Sequence, residues 1–147
     1  MHILLASAAG VVLGIGLIVL TGYVPLAEDA QVGALAQAAQ TPGLPQLGWT
    51  IGALLLAPPI EEFLFRGVLF EGFRQSWGAV WSGAVVSALF LILHLAESWF
   101  YWPAMLGLTV LAICLLVTRV WTDSLVPPIA LHFFYNLALA ATVLGLV

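Results

Sequence analysis

The chain has 147 residues, 63% of them hydrophobic and only 7% charged, with a mean hydropathy of +1.15. An average soluble domain is roughly 25% charged, so this sequence reads as an all-α, polytopic integral membrane protein whose partners are the lipid bilayer and whatever shares it. Its three basic residues, Arg66, Arg74 and Arg119, exclude nucleic-acid binding, and the single Cys114, inside an apolar run, excludes an intramolecular disulfide.

Taken in chain order, about five spans are expected. Ile3 to Val24 is apolar for about 22 residues, enough to cross a ~30 Å hydrocarbon core. No Lys or Arg precedes it, so it reads as a retained helix rather than a signal peptide. Pro25 to Leu47 is polar and small-residue-rich, with Glu28 and Asp29. It reads as an extramembrane loop carrying a short surface helix over Asp29 to Gln40. The second span runs from about Gly48 to Phe73 and contains Pro58-Pro59. Proline removes a backbone donor and clashes with the preceding turn, yet is tolerated at a helix start. The span is therefore expected to break near Ala57, with Glu61 and Glu62 in the first turn of a new half-helix. The remaining spans are Ala79 to Ala96, Pro103 to Trp121 and Pro127 to Val147. Trp99, Tyr101 and Trp102 suit an interfacial belt, and Ser124 or Asp123 is expected to cap the last helix. The chain reads as one membrane domain, 1–147, with the core of the site over about 48–147. A cytoplasmic N-terminus puts Arg74 and Arg119 on the cytoplasmic side, as the positive-inside rule asks.

Inside these spans the polar residues are few: Glu61, Glu62, Arg66, Glu71, His94, His132 and Asn136. A charge at the bilayer centre costs at least ~2.5–3.5 kcal/mol, so each is expected to face the bundle interior or a wet cavity. Glu62 and Arg66 are i and i+4, the favourable order for an ion pair along one helix. Glu61 lies about 100° away around the helix, so the two acids divide into one structural and one reactive. His132 and Asn136 share a face at i and i+4, a pair of donors able to hold a developing oxyanion. The plainer readings are a structural ion pair for Glu62 and Arg66, interhelical hydrogen bonds for His132 and Asn136, and an interfacial position for Glu71. Glu97, Asp123 and His2 read as loop or terminal residues. The functional reading rests on three separate helices bringing polar groups toward the bilayer interior.

Glu61-Glu62-x-x-x-Arg66-Gly67, then Phe90-x-x-x-His94, then His132-x-x-x-Asn136, in this order on successive helices, resembles the CPBP family of intramembrane proteases, named for CAAX prenyl proteases and bacteriocin-processing enzymes. The resemblance covers about Pro58 to Asn136. It implies that Glu61, with His94, activates the attacking water, that Glu62 and Arg66 support them, and that His132 and Asn136 form the oxyanion hole. It implies a membrane-associated protein or peptide substrate and a glutamic mechanism without metal. The alternative is a zinc held by Glu61, His94 and His132, since two histidines and a glutamate suit zinc with an open position. The chain is short for the family, so CAAX specificity is not carried over, and sorting-signal or bacteriocin processing stays open. The rivals are a non-catalytic immunity or binding protein on the same scaffold, and a small transporter, for which broken helices and buried acids are also signatures. The expected location is a bacterial plasma membrane. One geometric demand follows. Straight helices at ~1.5 Å per residue leave His94 near the outer face and His132 nearer the inner one, so the site closes only if the helices tilt or the spans end several residues from the positions given.

Overall fold

The computed structural model describes residues 1–25, 34–98 and 101–146. Among these the secondary structure is helical, without strands: α1 (His2–Tyr23), α2 (Ala34–Gln40), α3 (Leu44–Ile51), α4 (Ala57–Glu62), α5 (Phe70–Ser98), α6 (Trp102–Thr122) and α7 (Val126–Val143). Two π-helical stretches, Gly52–Leu56 and Phe63–Leu69, flank α4. The acidic pair Glu28 and Asp29, and Trp99 of the expected aromatic belt, lie outside the described residues. The surface helix is helical over its described part, Ala34–Gln40, and the Gln46 amide ties α3 to it through the Ala39 carbonyl at 3.0 Å.

Four stretches are long and apolar enough to cross a membrane, and one of them, Leu44–Leu95, has 52 residues. A straight helix of that length would reach about 78 Å, more than two bilayer cores. Instead the chain turns at Gly78, whose φ of 72° and ψ of 172° are open to glycine and costly for other residues. Beyond that turn the chain folds back, bringing the Phe65 and Phe90 rings to 5.4 Å between centroids. The Leu44–Leu95 stretch is therefore two antiparallel passes, which makes five among the described residues.

The packing of α1 confirms the count. Gly10 faces Leu131 and Tyr135, and Gly14 faces Tyr135 and Ala138, so α1 and α7 run parallel, as first and fifth passes must. α6 runs against them: His2 stacks near Trp121, ring centroids 4.9 Å apart, while Gly107 lies under Leu17. In lipid there is little hydrophobic drive between helices, and small residues that let backbones approach supply the packing. Ala6, Gly10 and Gly14 are the buried residues of α1. A Cβ on Gly10 would come 3.0 Å from the Tyr135 amide nitrogen and closer still to the Leu131 carbonyl oxygen. Gly10→Ile is therefore expected to weaken the fold by about 1–3 kcal/mol or more. Gly16→Ile, where nothing lies within 4 Å, is expected to leave it unchanged. Melting of both variants in detergent checks this.

The ends of the passes sort as the spans predict. The Tyr101 hydroxyl donates to the Val24 carbonyl, so the loop after α1 and the α5–α6 turn share one side. At the other side Glu71 accepts from both Arg74 (3.1 Å) and Arg119 (2.9 Å), and Asp123 accepts from Arg119 at 2.9 Å. The expected cap of α7 by Ser124 or Asp123 is not formed: Leu125 occupies the N-cap, no side chain caps the helix, and the Ser124 Oγ instead accepts the Val126 N–H at 3.3 Å in a local turn. Outward-facing side chains such as Leu4, Val80, Ile92 and Val117 are apolar and exposed, as a lipid-facing surface requires. The packed interior centres on Phe65, Phe70, Val86, Phe90, Leu111, Leu115, Leu131 and Tyr135.

Candidate active site

The interruption predicted at Pro58-Pro59 is present, as a change of register rather than a gap. The backbone stays right-handed helical, and the α ladder gives way to π pairing on both sides of α4. Ala57 N–H pairs with the Gly52 carbonyl, five residues back. The next partner in that register would be Pro58, which has no N–H to give. The Ala53 carbonyl is thereby freed, and the Asn136 side-chain amide donates to it at 2.8 Å. Glu61 and Glu62 end the six-residue α4 and do not open a new helix.

Adjacent on that helix, the two glutamates meet different neighbours. Glu62 is fully buried, and its Oε1 accepts from Arg66 Nη1 at 3.1 Å and from His132 Nδ1 at 3.1 Å. Arg66 is also fully buried. Its Nη2 donates to the Ala112 carbonyl at 3.3 Å, and its guanidinium lies over the Phe90 ring, 4.7 Å from the centroid. Such stacking adds attraction where water is absent. Phe90 also serves the site through its backbone, because its carbonyl accepts from His94 Nδ1 at 2.8 Å. Both halves of the Phe90-x-x-x-His94 spacing are thus explained.

Carboxylates and carbonyls only accept hydrogen bonds. His94 and His132 therefore each place a proton on Nδ1, and the Nε2 of each ring faces inward. Both Nε2 atoms lie 3.9 Å from Glu61 Oε2. That oxygen is buried and has no hydrogen-bond partner among the described residues. The Glu61 side chain as a whole is 20% exposed and His94 25%, so the cluster is open on one side. The fold thus brings together what the sequence-derived spans, taken as straight helices, would keep apart. Glu61, Glu62, Arg66, His94 and His132 form one cluster, while the Asn136 amide donates to the Ala53 carbonyl rather than to any member of it.

Ligand atoms roughly 2.0–2.2 Å from a tetrahedral zinc lie about 3.4 Å from one another, and the 3.9 Å separations here are wider. Among the described residues no group of three His, Cys, Asp or Glu is placed to hold a metal ion. As positioned, Glu61, His94 and His132 do not fit one. The same separations suit an oxygen atom at hydrogen-bond distance, about 2.8 Å, from Glu61 and a histidine together.

Three contacts escaped the sequence. His132 pairs with Glu62. Asn136 takes a backbone carbonyl. Arg119, expected to be a juxtamembrane charge, is buried, its side chain only 9% exposed. The Arg119-x-x-x-Asp123 spacing was the available signal for the last.

A profile of the Rce1-like family, described as type II CAAX prenyl endopeptidase Rce1-like, matches residues 43–138. The chain belongs to the Rce1-like family. That family lies within the CPBP intramembrane proteases, so the protein is an integral membrane endopeptidase of the CAAX type in general, acting on a membrane-embedded protein or peptide. No curated protein and no solved structure matches the chain. The Rce1-like match begins beside α3 and ends two residues after Asn136. It takes in every residue of the cluster and leaves α1 outside.

Proposed function

We propose that this Rce1-like protein hydrolyses a peptide bond of a membrane-associated or C-terminally anchored protein by a glutamic mechanism, without metal. The observation that carries the reading is Glu61 Oε2, buried, unpartnered and 3.9 Å from the Nε2 atoms of both His94 and His132. A water hydrogen-bonded to Glu61 and to His94 Nε2 gives one proton to Glu61, and the hydroxide adds to the scissile carbonyl carbon. Glu61 then returns the proton to the leaving nitrogen as the C–N bond breaks.

The oxyanion needs donors. His132 supplies one from Nε2 when it carries protons on both nitrogens, with Nδ1–H held by Glu62. Asn136 offers the second donor, since its amide has two hydrogens and the Ala53 carbonyl engages it at Nδ2 only once in the described contacts. An apolar cleft of about 330 Å³ between α4 and α7, lined by Leu54, Leu55, Pro58, Ile129, Phe133 and Phe134, suits an apolar substrate segment. The end carrying Arg74 and Arg119 is taken as the cytoplasmic one, in line with the positive-inside rule, and a bacterial plasma membrane remains the proposed location.

The test compares membranes with equal amounts of wild-type and Glu61→Gln protein, mapping protein termini by mass spectrometry with and without a chelator. Termini that vanish in the variant and survive the chelator are expected. Termini lost to the chelator as well would replace the glutamic mechanism by a metal-dependent one.

A further inference from the structure

The second π stretch raises the same backbone question as the first, and a different side chain answers it. Phe70 N–H pairs with the Phe65 carbonyl, five residues back. α pairing resumes in α5, and a return from five-residue to four-residue pairing passes over one carbonyl. The next in line is that of Arg66. Arg119 Nε donates to this carbonyl at 3.3 Å. A carbonyl buried without a donor costs about 1–3 kcal/mol, so this contact favours the π register over a regular α ladder. The other two nitrogens of the same guanidinium are held by Glu71 and Asp123, each at 2.9 Å. Arg119 is therefore fixed from two sides and presents Nε to the backbone of the residue whose own side chain grips Glu62.

We propose that Arg119 is a positioning residue: by taking the Arg66 carbonyl passed over at the exit of the Phe63–Leu69 π stretch, it sets the rotation of the helix carrying Glu61, Glu62 and Arg66. One residue of π insertion corresponds to about 100° of helix rotation. Without the latch, the stretch relaxes toward α pairing and turns Glu61 away from the two histidines. Arg119 touches neither Glu61 nor any histidine in the described contacts, so it acts only through this backbone. The effect on cleavage rests on the glutamic peptidase reading above, whereas the effect on helix rotation does not.

The experiment uses the full chain in its membranes. Arg119→Met removes every donor at similar volume. Arg119→Lys restores one donor. Glu71→Gln combined with Asp123→Asn removes the ion pairs and leaves the carbonyl contact. Two quantities are read: the ratio of dicyclohexylcarbodiimide labelling at Glu61 to that at Glu62, and the rate at which Glu61-dependent termini appear. In wild type the part-exposed Glu61 labels and the ion-paired, buried Glu62 does not. Arg119→Met is expected to let Glu62 label and to slow the termini about 100-fold, the scale of an ångström's misplacement. Arg119→Lys recovers most of the rate, and the Glu71/Asp123 double variant matches wild type in both quantities. Should Arg119→Met not accumulate, Arg119→Leu, which carries no donor for the Arg66 carbonyl, takes its place with the same expectations. A labelling ratio that Arg119→Met leaves unchanged overturns the proposal. So does a double variant that behaves as Arg119→Met does, since the ion pairs would then be the whole effect. Failure of the peptidase reading shows separately, as termini that persist in Glu61→Gln, and the labelling ratio still decides the role of Arg119.

Discussion

Glu61→Gln is expected to lower the hydrolysis rate by about 10²–10⁴-fold, the usual contribution of a general base, and to leave the melting temperature where it was. The two halves of this expectation come from the same observation. Glu61 Oε2 makes no hydrogen bond in the described structure, and its contacts to the histidines, at 3.9 Å, are too long to be hydrogen bonds. Exchanging the carboxylate for an amide of the same shape therefore breaks nothing that holds the bundle together. It removes only the ability to take a proton from water. Glu61→Asp should fail in a related way, because a shorter side chain withdraws the oxygen from both Nε2 atoms. Rates are read from the termini that define the substrate, and stability from thermal melting in detergent. A variant that melts well below wild type would make Glu61 a structural residue, against the division drawn here.

Arg66→Met has the opposite signature: a loss of about 3–5 kcal/mol of stability, the cost of leaving a buried charge unpaired. Glu62 would remain at full burial with only His132 beside it. The Ala112 carbonyl would lose its side-chain donor, and Phe90 the cation over its ring. The double variant Glu62→Gln/Arg66→Met should recover part of the loss, because removing both charges leaves no lone one. Unfolding free energies of both single variants and the double close the cycle. Single variants that sum to the double would mean that the pair is not coupled and that the burial of Arg66 has some other explanation. Neighbouring positions in one helix thus carry contrasting effects, Glu61 on rate and the Glu62–Arg66 pair on stability.

The passes were legible because lipid imposes a strong constraint: only long apolar runs cross it, and their interruptions stand out. The members of the candidate cluster were legible for the complementary reason. A glutamate or histidine in such a run is costly, so its presence marks a site. Spacing along one helix also foretold the pair of Glu62 with Arg66. What spacing could not supply were partners on other helices. His132 meets Glu62 across 70 positions of sequence, Asn136 meets the Ala53 carbonyl across 83, and Arg119 meets the Arg66 carbonyl across 53. Two of these three contacts go to main-chain groups, which every residue possesses, so side-chain identity gives no hint of them. Both depend on the π stretches, whose phase is fixed by packing between helices. Pro58 announced one stretch. The other, beginning at Phe63, contains no proline, and no local residue betrays it.

The parallel seam between α1 and α7 has a consequence for the order of assembly. During synthesis α1 enters the membrane with Gly10 and Gly14 uncovered, and the helix that covers them emerges last of the five. The same helix delivers His132, 70 residues after Glu62. At a synthesis rate of about 5–20 residues per second, roughly 4–14 s separate the two. Throughout that interval Glu62 has Arg66 as its neighbour but no histidine across from it, and Glu61 has at most one of its two. On the mechanism proposed above, a partly made chain, still beside the insertion machinery and its other clients, would lack the means to cut them. Competence would then arrive only as the glycine seam closes, making the closing of the seam and the arming of the protein one event.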